Sequence, residues 1–248
     1  VKILLLDIET APNLAYVWGL FKQNISTAAI ESSGYVLCWS AKWLGEKKVH
    51  FASVQNHKAP AMLHGIHRLL DQADAVVHYY GTNFDIPTLN KEFVSHGFNP
   101  PSPYKQIDLC NIVKAEFRFP SNKLDYVSQA LGLGAKTRHP GFEMWVKCMR
   151  GDKQAWKIME KYNRQDTALL ETLYHRLQPW IRSHPNHATF EGSPMCPKCG
   201  SEEYQQRGYA YTMMMRYARY QCKKCHGWFR SNKSQKRGNE ERMANIGS

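Results

Sequence analysis

An apolar run that stops on two acids constrains this chain more than any other feature. Residues 2–8, KILLLDI, are apolar up to Asp7 and continue into Glu9 and Thr10. Such a run reads as a strand buried on both faces, the kind found inside a sheet covered by helices on either side. It is too short and too quickly acidic for a secretory leader, and the numbering is expected to lack an initiating Met. Side chains alternate along a strand, so Asp7 and Glu9 leave its end on the same side. Two neighbouring carboxylates repel unless a cation sits between them, and oxygen ligands suit Mg2+ or Mn2+.

The segments that follow alternate in period. Residues 35–43 and 48–54 flank a GEKK turn and read as a hairpin. Residues 59–72 are amphipathic, with Met62, Leu63, Ile66, Leu69 and Leu70 on one side. Residues 75–80 and 104–109 read as strands, and 84–96, 122–131 and 151–181 as helices. Asp108 is placed to cap a helix, as is Ser121 or Asn122. Strands first, then strand–helix alternation, predict an α/β fold: a mixed sheet with helices on both faces. The polar stretch 184–194, HPNHATFEGSP, is expected to link residues 1–183 to a small module at 195–231. Residues 232–248 form a polar tail with too little apolar content to fold alone. No run of 18 apolar residues exists, so no membrane-spanning helix is expected.

Two further acidic sites follow the first. Asp85 stands in Asn83-Phe84-Asp85-Ile86-Pro87, just after a strand and a glycine. Tyr162 and Asp166, four apart on a helix, share a face. Each has a plainer account when taken alone: solvated acids at a strand end, an acid complementing a helix dipole, a surface acid beside a half-buried Tyr. Together they supply four carboxylates and a phenol that can converge only at one edge of a sheet. Four carboxylates can hold two divalent ions about 3.5–4 Å apart, the arrangement used for in-line displacement at phosphorus.

The ordered set D-I-E-T-x-P, G-x-N-F-D-x-P and Y-x-x-x-D resembles the DEDD (DnaQ-like) 3′–5′ exonuclease superfamily over roughly residues 1–180. The Tyr four residues before the last Asp is similar to its DEDDy branch, which includes proofreading domains of family B polymerases and phage-type nucleases. The resemblance implies an RNase H-like fold with a five-stranded mixed sheet. It further implies two Mg2+ or Mn2+ ions on Asp7, Glu9, Asp85 and Asp166, with Asp7 bridging and Tyr162 orienting the attacking water. DNA is the expected substrate, with an exoribonuclease of the same fold or a catalytically silent nucleic-acid-binding adaptor as alternatives. Relatives commonly carry Asn-Gly where this chain has Tyr80-Gly81. Thr10, Trp18, Tyr80, Asn83 and Phe84 are expected substrate contacts near the acids, and Phe21 a further stacking candidate. Lys136, Arg138 and His139 are candidate phosphate contacts.

Seven cysteines with no sign of secretion point to a reducing compartment. Cys38, Cys110 and Cys148 are scattered among apolar neighbours and read as core residues. The other four form Cys196-x-x-Cys199 and Cys222-x-x-Cys225, two knuckles that read as a tetrahedral Zn2+ site in a zinc ribbon. His226 is an alternative fourth ligand. So small a module would draw most of its folding free energy from one structural Zn2+.

The net charge of +12 favours a polyanionic partner. The 63 positions 186–248 hold eleven basic and five acidic residues, against 22 and 16 in the preceding 185, so the C-terminal quarter is the more basic. Basic residues interleaved with aromatics there suit single-stranded or frayed 3′ ends, with Arg216, Arg219, Lys223 and Lys224 as expected contacts. A nuclease of this kind is expected in the cytoplasm of a bacterial or phage-infected cell. Proofreading there would need a replication or recombination protein as partner.

Overall fold

A computed structural model describes residues 1–135, 140–192, 194–213 and 215–235. The expected phosphate contacts Lys136, Arg138 and His139 and most of the expected tail fall outside these residues. In chain order the elements are β1 (Ile3–Thr10), β2 (Leu14–Ala15), β3 (Ile30–Ser32), β4 (Val36–Trp43), β5 (Val49–Ser53), α1 (Ala59–Asp71), β6 (Ala75–His78), α2 (Asp85–Ser95), β7 (Lys105–Asp108), α3 (Leu109–Glu116), α4 (Leu124–Ala130), α5 (Phe142–Met149), α6 (Lys153–Leu177), α7 (His187–Glu191), β8 (Tyr204–Tyr211), β9 (Arg216–Cys222) and β10 (Trp228–Ser234). They divide into two compact units, Lys2–His175 and Arg176–Ser248, with Val1 grouped with the second. Among the described residues no helix is long and apolar enough to cross a membrane.

The first unit is built on a five-stranded sheet in the order β5-β4-β1-β6-β7. β4 runs antiparallel to β1 and β5, while β6 is parallel to β1 and β7, so the sheet is mixed as expected. The apolar run earns its central place: residues 3–6 are buried, and β1 has a neighbour on each side. Alternation then sorts the two faces. Leu4, Leu6 and Ile8 pack with Trp39, Met62, Leu63, Ile66 and Leu89 under α1 and α2. Leu37 and Cys38 pack on the other side with Met144 and Cys148 of α5 and with Trp156, Met159 and Tyr162 of α6. Asp7 and Glu9, out of phase with Leu6 and Ile8, therefore face α6.

A polar seam sets α6 on the sheet. Asn163, Thr167 and Glu171 lie four apart and so share one stripe of the helix. Ser40 Oγ donates to Asn163 O at 2.8 Å and meets Thr167 Oγ1 at 2.5 Å. Lys42, two residues further along β4, pairs with Glu171. Ser40, Asn163 and Thr167 are all fully buried, so these bonds stabilise one seating of the helix over any other.

Three local expectations need correction. The helix expected over 122–131 begins at Leu124 with Lys123 as its N-cap and no side-chain cap bond. Asn122 O instead accepts from Tyr79 Oη at 2.6 Å, and Ser121 Oγ accepts from the Lys123 N–H. Within the expected linker 184–194, the described residues carry local structure that polarity alone does not announce. Asn186 caps the short α7 through the Ala188 N–H, the His187 N–H donates to Pro197 O at 3.0 Å, and Gln178 Nε2 donates to Lys198 O at 2.8 Å. These bonds draw the second compact unit back to Arg176. Lastly, β10 continues to Ser234, past the point where the polar tail was expected to begin.

Cys38, Cys110 and Cys148 are buried, as expected of core residues. Burial, then the carboxylates of Glu9 and Asp7, push the Cys38 thiol well above its usual range. Burial likewise holds Cys148 up at about 11. All three are neutral thiols at ordinary pH, which makes them inert packing groups rather than nucleophiles.

Candidate active site and metal centre

The sheet and α6 bring three acids from opposite ends of the first unit together. One carboxylate oxygen each of Asp7, Glu9 and Asp166 lie within 4.8 Å of one another. Asp7 and Glu9 are half-buried and Asp166 is buried. Asp85 lies outside that 4.8 Å set but is held beside it. β6 pairs with β1 only as far as Leu5, and three residues on, the Ile8 N–H donates to Asp85 Oδ1 at 3.2 Å. Asp85 is buried at the first position of α2, where the helix dipole favours its negative charge. Tyr162 is buried one helical turn before Asp166 on α6.

Two residues that pattern reading did not single out complete the setting. Asn163 Nδ2 donates to Asp7 Oδ2 at 2.6 Å, while the Asn163 backbone oxygen takes the Ser40 hydroxyl. The carboxamide thus fixes the Asp7 carboxylate and leaves its Oδ1 to other partners. Asn163 Oδ1 is buried without a hydrogen-bond partner. Trp145 of α5 donates its Nε1–H to Glu9 Oε2 at 3.2 Å and meets the Tyr162 ring edge-on at 6.2 Å. One side chain therefore orients both an acid and the phenol. Asn163 lies next to Tyr162 in sequence, and its place one turn before Thr167 on α6 is the only signal it carries. Trp145 carried none.

Three carboxylates this close form a hard-oxygen donor set that fits Mg2+ or Mn2+. Without a cation the same grouping would carry several kcal/mol of mutual repulsion, of the order expected at an effective dielectric near 20.

The loop before Asp85 is held by one carboxylate. Asp108 Oδ1 accepts the Tyr80, Cys110 and Asn111 N–H groups at 2.9, 3.0 and 3.3 Å, and its Oδ2 accepts that of Thr82 at 3.2 Å. It is the expected cap of α3, and it also binds the β6–α2 loop. There Tyr80 sits at φ +68, a left-handed conformation that a bulky side chain rarely adopts. The next residue must be glycine, because a Cβ on Gly81 would fall 2.5 Å from His78 Cγ. The Gly81 N–H donates to His78 Nδ1 at 3.1 Å, so Nε2 carries the proton and donates to Gln106 Oε1. Burial pulls the His78 pKa down and keeps the ring neutral. Replacing Asp108 with alanine orphans four N–H groups at once. We expect a loss of about 2–4 kcal/mol in denaturant unfolding, with catalysis impaired in whatever remains folded. A loss under about 0.5 kcal/mol, the size of an ordinary surface change, would show that the loop holds itself.

The other expected contacts fall in different settings. Thr10 is half-buried beside a register shift at Glu9/Thr10. Tyr80, Asn83 and Phe84 are exposed on the loop leading to Asp85, with the Lys114 ammonium 4.9 Å from the Tyr80 ring centroid. Trp18 and Phe21 are exposed on the excursion between β2 and β3.

In the second unit, one sulfur each of Cys196, Cys199, Cys222 and Cys225 lie within 4.8 Å of one another, and His226 is not part of the set. The Cys196–Cys225 and Cys199–Cys222 sulfurs are each 3.6 Å apart. That is far beyond a disulfide and near the roughly 3.8 Å edge of a ZnS4 tetrahedron built from 2.3 Å bonds. Both knuckles close the same way: the residue after the second cysteine turns left-handed, Gly200 at φ +70 and His226 at φ +61. The hydrogen bond from Cys225 pulls the Cys196 thiol down to about 5, and the same bond, then burial, pushes Cys225 up. Soft sulfur here and hard oxygen at Asp7 would suit two different kinds of metal.

Residues 4–178 match the model of a family described as the RNase_H superfamily. No curated protein matches the chain. Among solved structures, the family B DNA polymerase of the hyperthermophilic archaeon Pyrobaculum calidifontis superposes with a TM-score of 0.55 at 16% identity, over 72% of this chain and 24% of that one. The chain thus spans about a quarter of that polymerase, and the likeness is one of fold.

Proposed function

The chain belongs to the RNase H superfamily, and from that premise we propose that it is a metal-dependent nuclease that removes nucleotides one at a time from the 3′ end of DNA. The observation that carries this reading is the meeting of Asp7, Glu9 and Asp166 within 4.8 Å, from a strand and a helix far apart in sequence. Asp85, tethered at the Ile8 N–H, completes the four carboxylates. These four would hold two Mg2+ or Mn2+ ions, which would lower the pKa of an attacking water and offset charge on the leaving oxygen. Tyr162 presents its phenol to that water. Asn163 and Trp145 keep Asp7 and Glu9 aimed as the phosphate arrives. Water adds to the terminal phosphorus and gives up a proton, the bond to the preceding 3′ oxygen breaks, that oxygen takes up a proton to become the new 3′ hydroxyl, and a nucleoside 5′-monophosphate leaves. Thr10, Trp18, Tyr80, Asn83 and Phe84 receive the strand end. The ribbon, folded by one Zn2+ on its four cysteines, adds affinity. DNA is favoured over RNA because the ordered motifs resemble the family B polymerase type.

The test is a time course with Mg2+ on single- and double-stranded DNA and RNA, each labelled at either end. A 5′ label should give a descending ladder and a 3′ label should appear at once as mononucleotide, both on DNA. Release of mononucleotide from the 5′ label, or cleavage of RNA alone, overturns the reading.

A further inference from the structure

The three-stranded ribbon sheet, ordered β10-β9-β8, has two unlike faces. On one, Tyr204, Tyr220 and Phe229 cluster with ring centroids 5.3–5.6 Å apart, and buried Ala218 and Cys222 share that side. This is the small core of the ribbon. Arg216, expected among the strand contacts, alternates onto the same side, with its guanidinium 4.4 Å from the Tyr209 ring.

The opposite face is built differently. Register pairs Arg230 with Arg219 and Trp228 with Gln221, so alternation puts Tyr217, Arg219, Trp228 and Arg230 together. Two arginines directly opposite on neighbouring strands repel. No Asp or Glu occurs anywhere in residues 204–235, while seven Lys or Arg do, so this stretch brings no carboxylate of its own to neutralise the pair. Each guanidinium instead lies over a ring on the diagonal. Arg219 is 5.1 Å from the Trp228 centroid and Arg230 is 3.9 Å from that of Tyr217. Arg219 is also pinned from below: a register shift between Gln206 and Tyr209, with Gly208 at φ +71, lets Arg207 O accept from Arg219 Nε at 2.9 Å. Arg219, Trp228 and Arg230 are nonetheless exposed. Flat aromatic and guanidinium surfaces, held in place, with no ion pair to either arginine among the described residues and open to solvent, match a ligand that is both flat and anionic along its length.

We propose that this face, Tyr217-Arg219-Trp228-Arg230, is a stacking platform for the unpaired bases of single-stranded DNA, with the guanidinium edges on its phosphates. The proposal rests on the nuclease reading for its choice of DNA, but its geometry belongs to the ribbon alone. A paired duplex buries its base faces, whereas a single strand offers each to a ring or guanidinium plane. Lys223 and Lys224, exposed in the second knuckle, extend the positive track.

The experiment uses the full chain carrying Asp7→Asn, so that binding is read without cleavage. Fluorescence anisotropy compares a labelled thymidylate 20-mer with an abasic strand of equal length and charge. The parent should prefer the thymidylate strand by about ten-fold or more. Trp228→Ala, and independently Trp228→Leu to keep apolar cover, should erase that preference. Arg219→Ala with Arg230→Ala should flatten the dependence of log affinity on log salt by about 1.4, the value for two phosphate contacts on a single strand. Zinc content reports that each variant is folded. A parent that binds the abasic strand equally well overturns the proposal. So do zinc-loaded variants that bind thymidylate within two-fold of the parent, which would leave the face to a protein partner. Failure of the nuclease reading would show separately, as wild-type protein that leaves DNA intact while this binding comparison still holds.

Discussion

Asp7→Asn should cut the rate of the proposed DNA cleavage by about a thousand-fold or more, while affinity for a single strand should change little. The side chain keeps its size and one oxygen, and Asn163 still has an oxygen to donate to at that position. What goes is a negative charge at the centre of the donor set. Metal ions supply several kcal/mol of charge stabilisation to such displacements, and each 1.36 kcal/mol is a factor of ten. Nucleotide release measured against wild type at saturating Mg2+ checks this. A variant retaining a tenth of the activity would remove Asp7 from the chemistry. Excess Mn2+ offers an internal comparison: partial rescue fits a weakened metal site, whereas a misfolded variant would not respond.

The second large effect concerns the ribbon. Cys222→Ser should release the zinc and unfold residues 195–235 while the first unit keeps its cooperative transition. The reasoning is quantitative. Tetrahedral zinc on cysteines contributes about 10–16 kcal/mol of apparent binding free energy in small zinc modules, whereas the ribbon buries only a handful of apolar side chains, Met195 and Ala218 among them. Elemental analysis should fall from one Zn per chain to near none, and amide exchange across β8–β10 should become fast. A variant with protected β9 amides and no zinc would mean that Tyr204, Tyr220 and Phe229 suffice as a core.

Pattern reading recovered the features that depend on local spacing. A period of two placed Asp7 and Glu9 on one side of β1, and i,i+4 placed Tyr162 and Asp166 on one stripe of α6. The paired cysteines were legible because each C-x-x-C knuckle brings two sulfurs together within a single turn of chain. What escaped lies between elements. Trp145 reaches Glu9 across 136 positions, and no window of sequence contains both. Ser40 and Thr167 look like ordinary strand and helix residues until β4 and α6 are superposed. Asp108 was read as a helix cap, which it is, but its hold on Tyr80 and Thr82 depends on β6 and β7 being neighbours. The segment 184–194 looked like a linker because it is polar. Its short helix comes from the Asn186 cap and from a backbone partner at Pro197, and composition does not report those.

The seating of α6 on β4 has a consequence for how this protein tolerates change in length. Ser40 grips two successive turns of the helix and Lys42 a third, so the helix behaves as a toothed rod rather than a smooth one. Deleting one residue between Ala155 and Tyr162 would turn everything after it by about 100° about the helix axis. The teeth at Asn163, Thr167 and Glu171 would then either pull Asp166 back to its post by distorting the preceding turn, or let go together. Drift in chain length should therefore gather before Lys153 and in loops, and spare the stretch that carries Asp166 past the sheet.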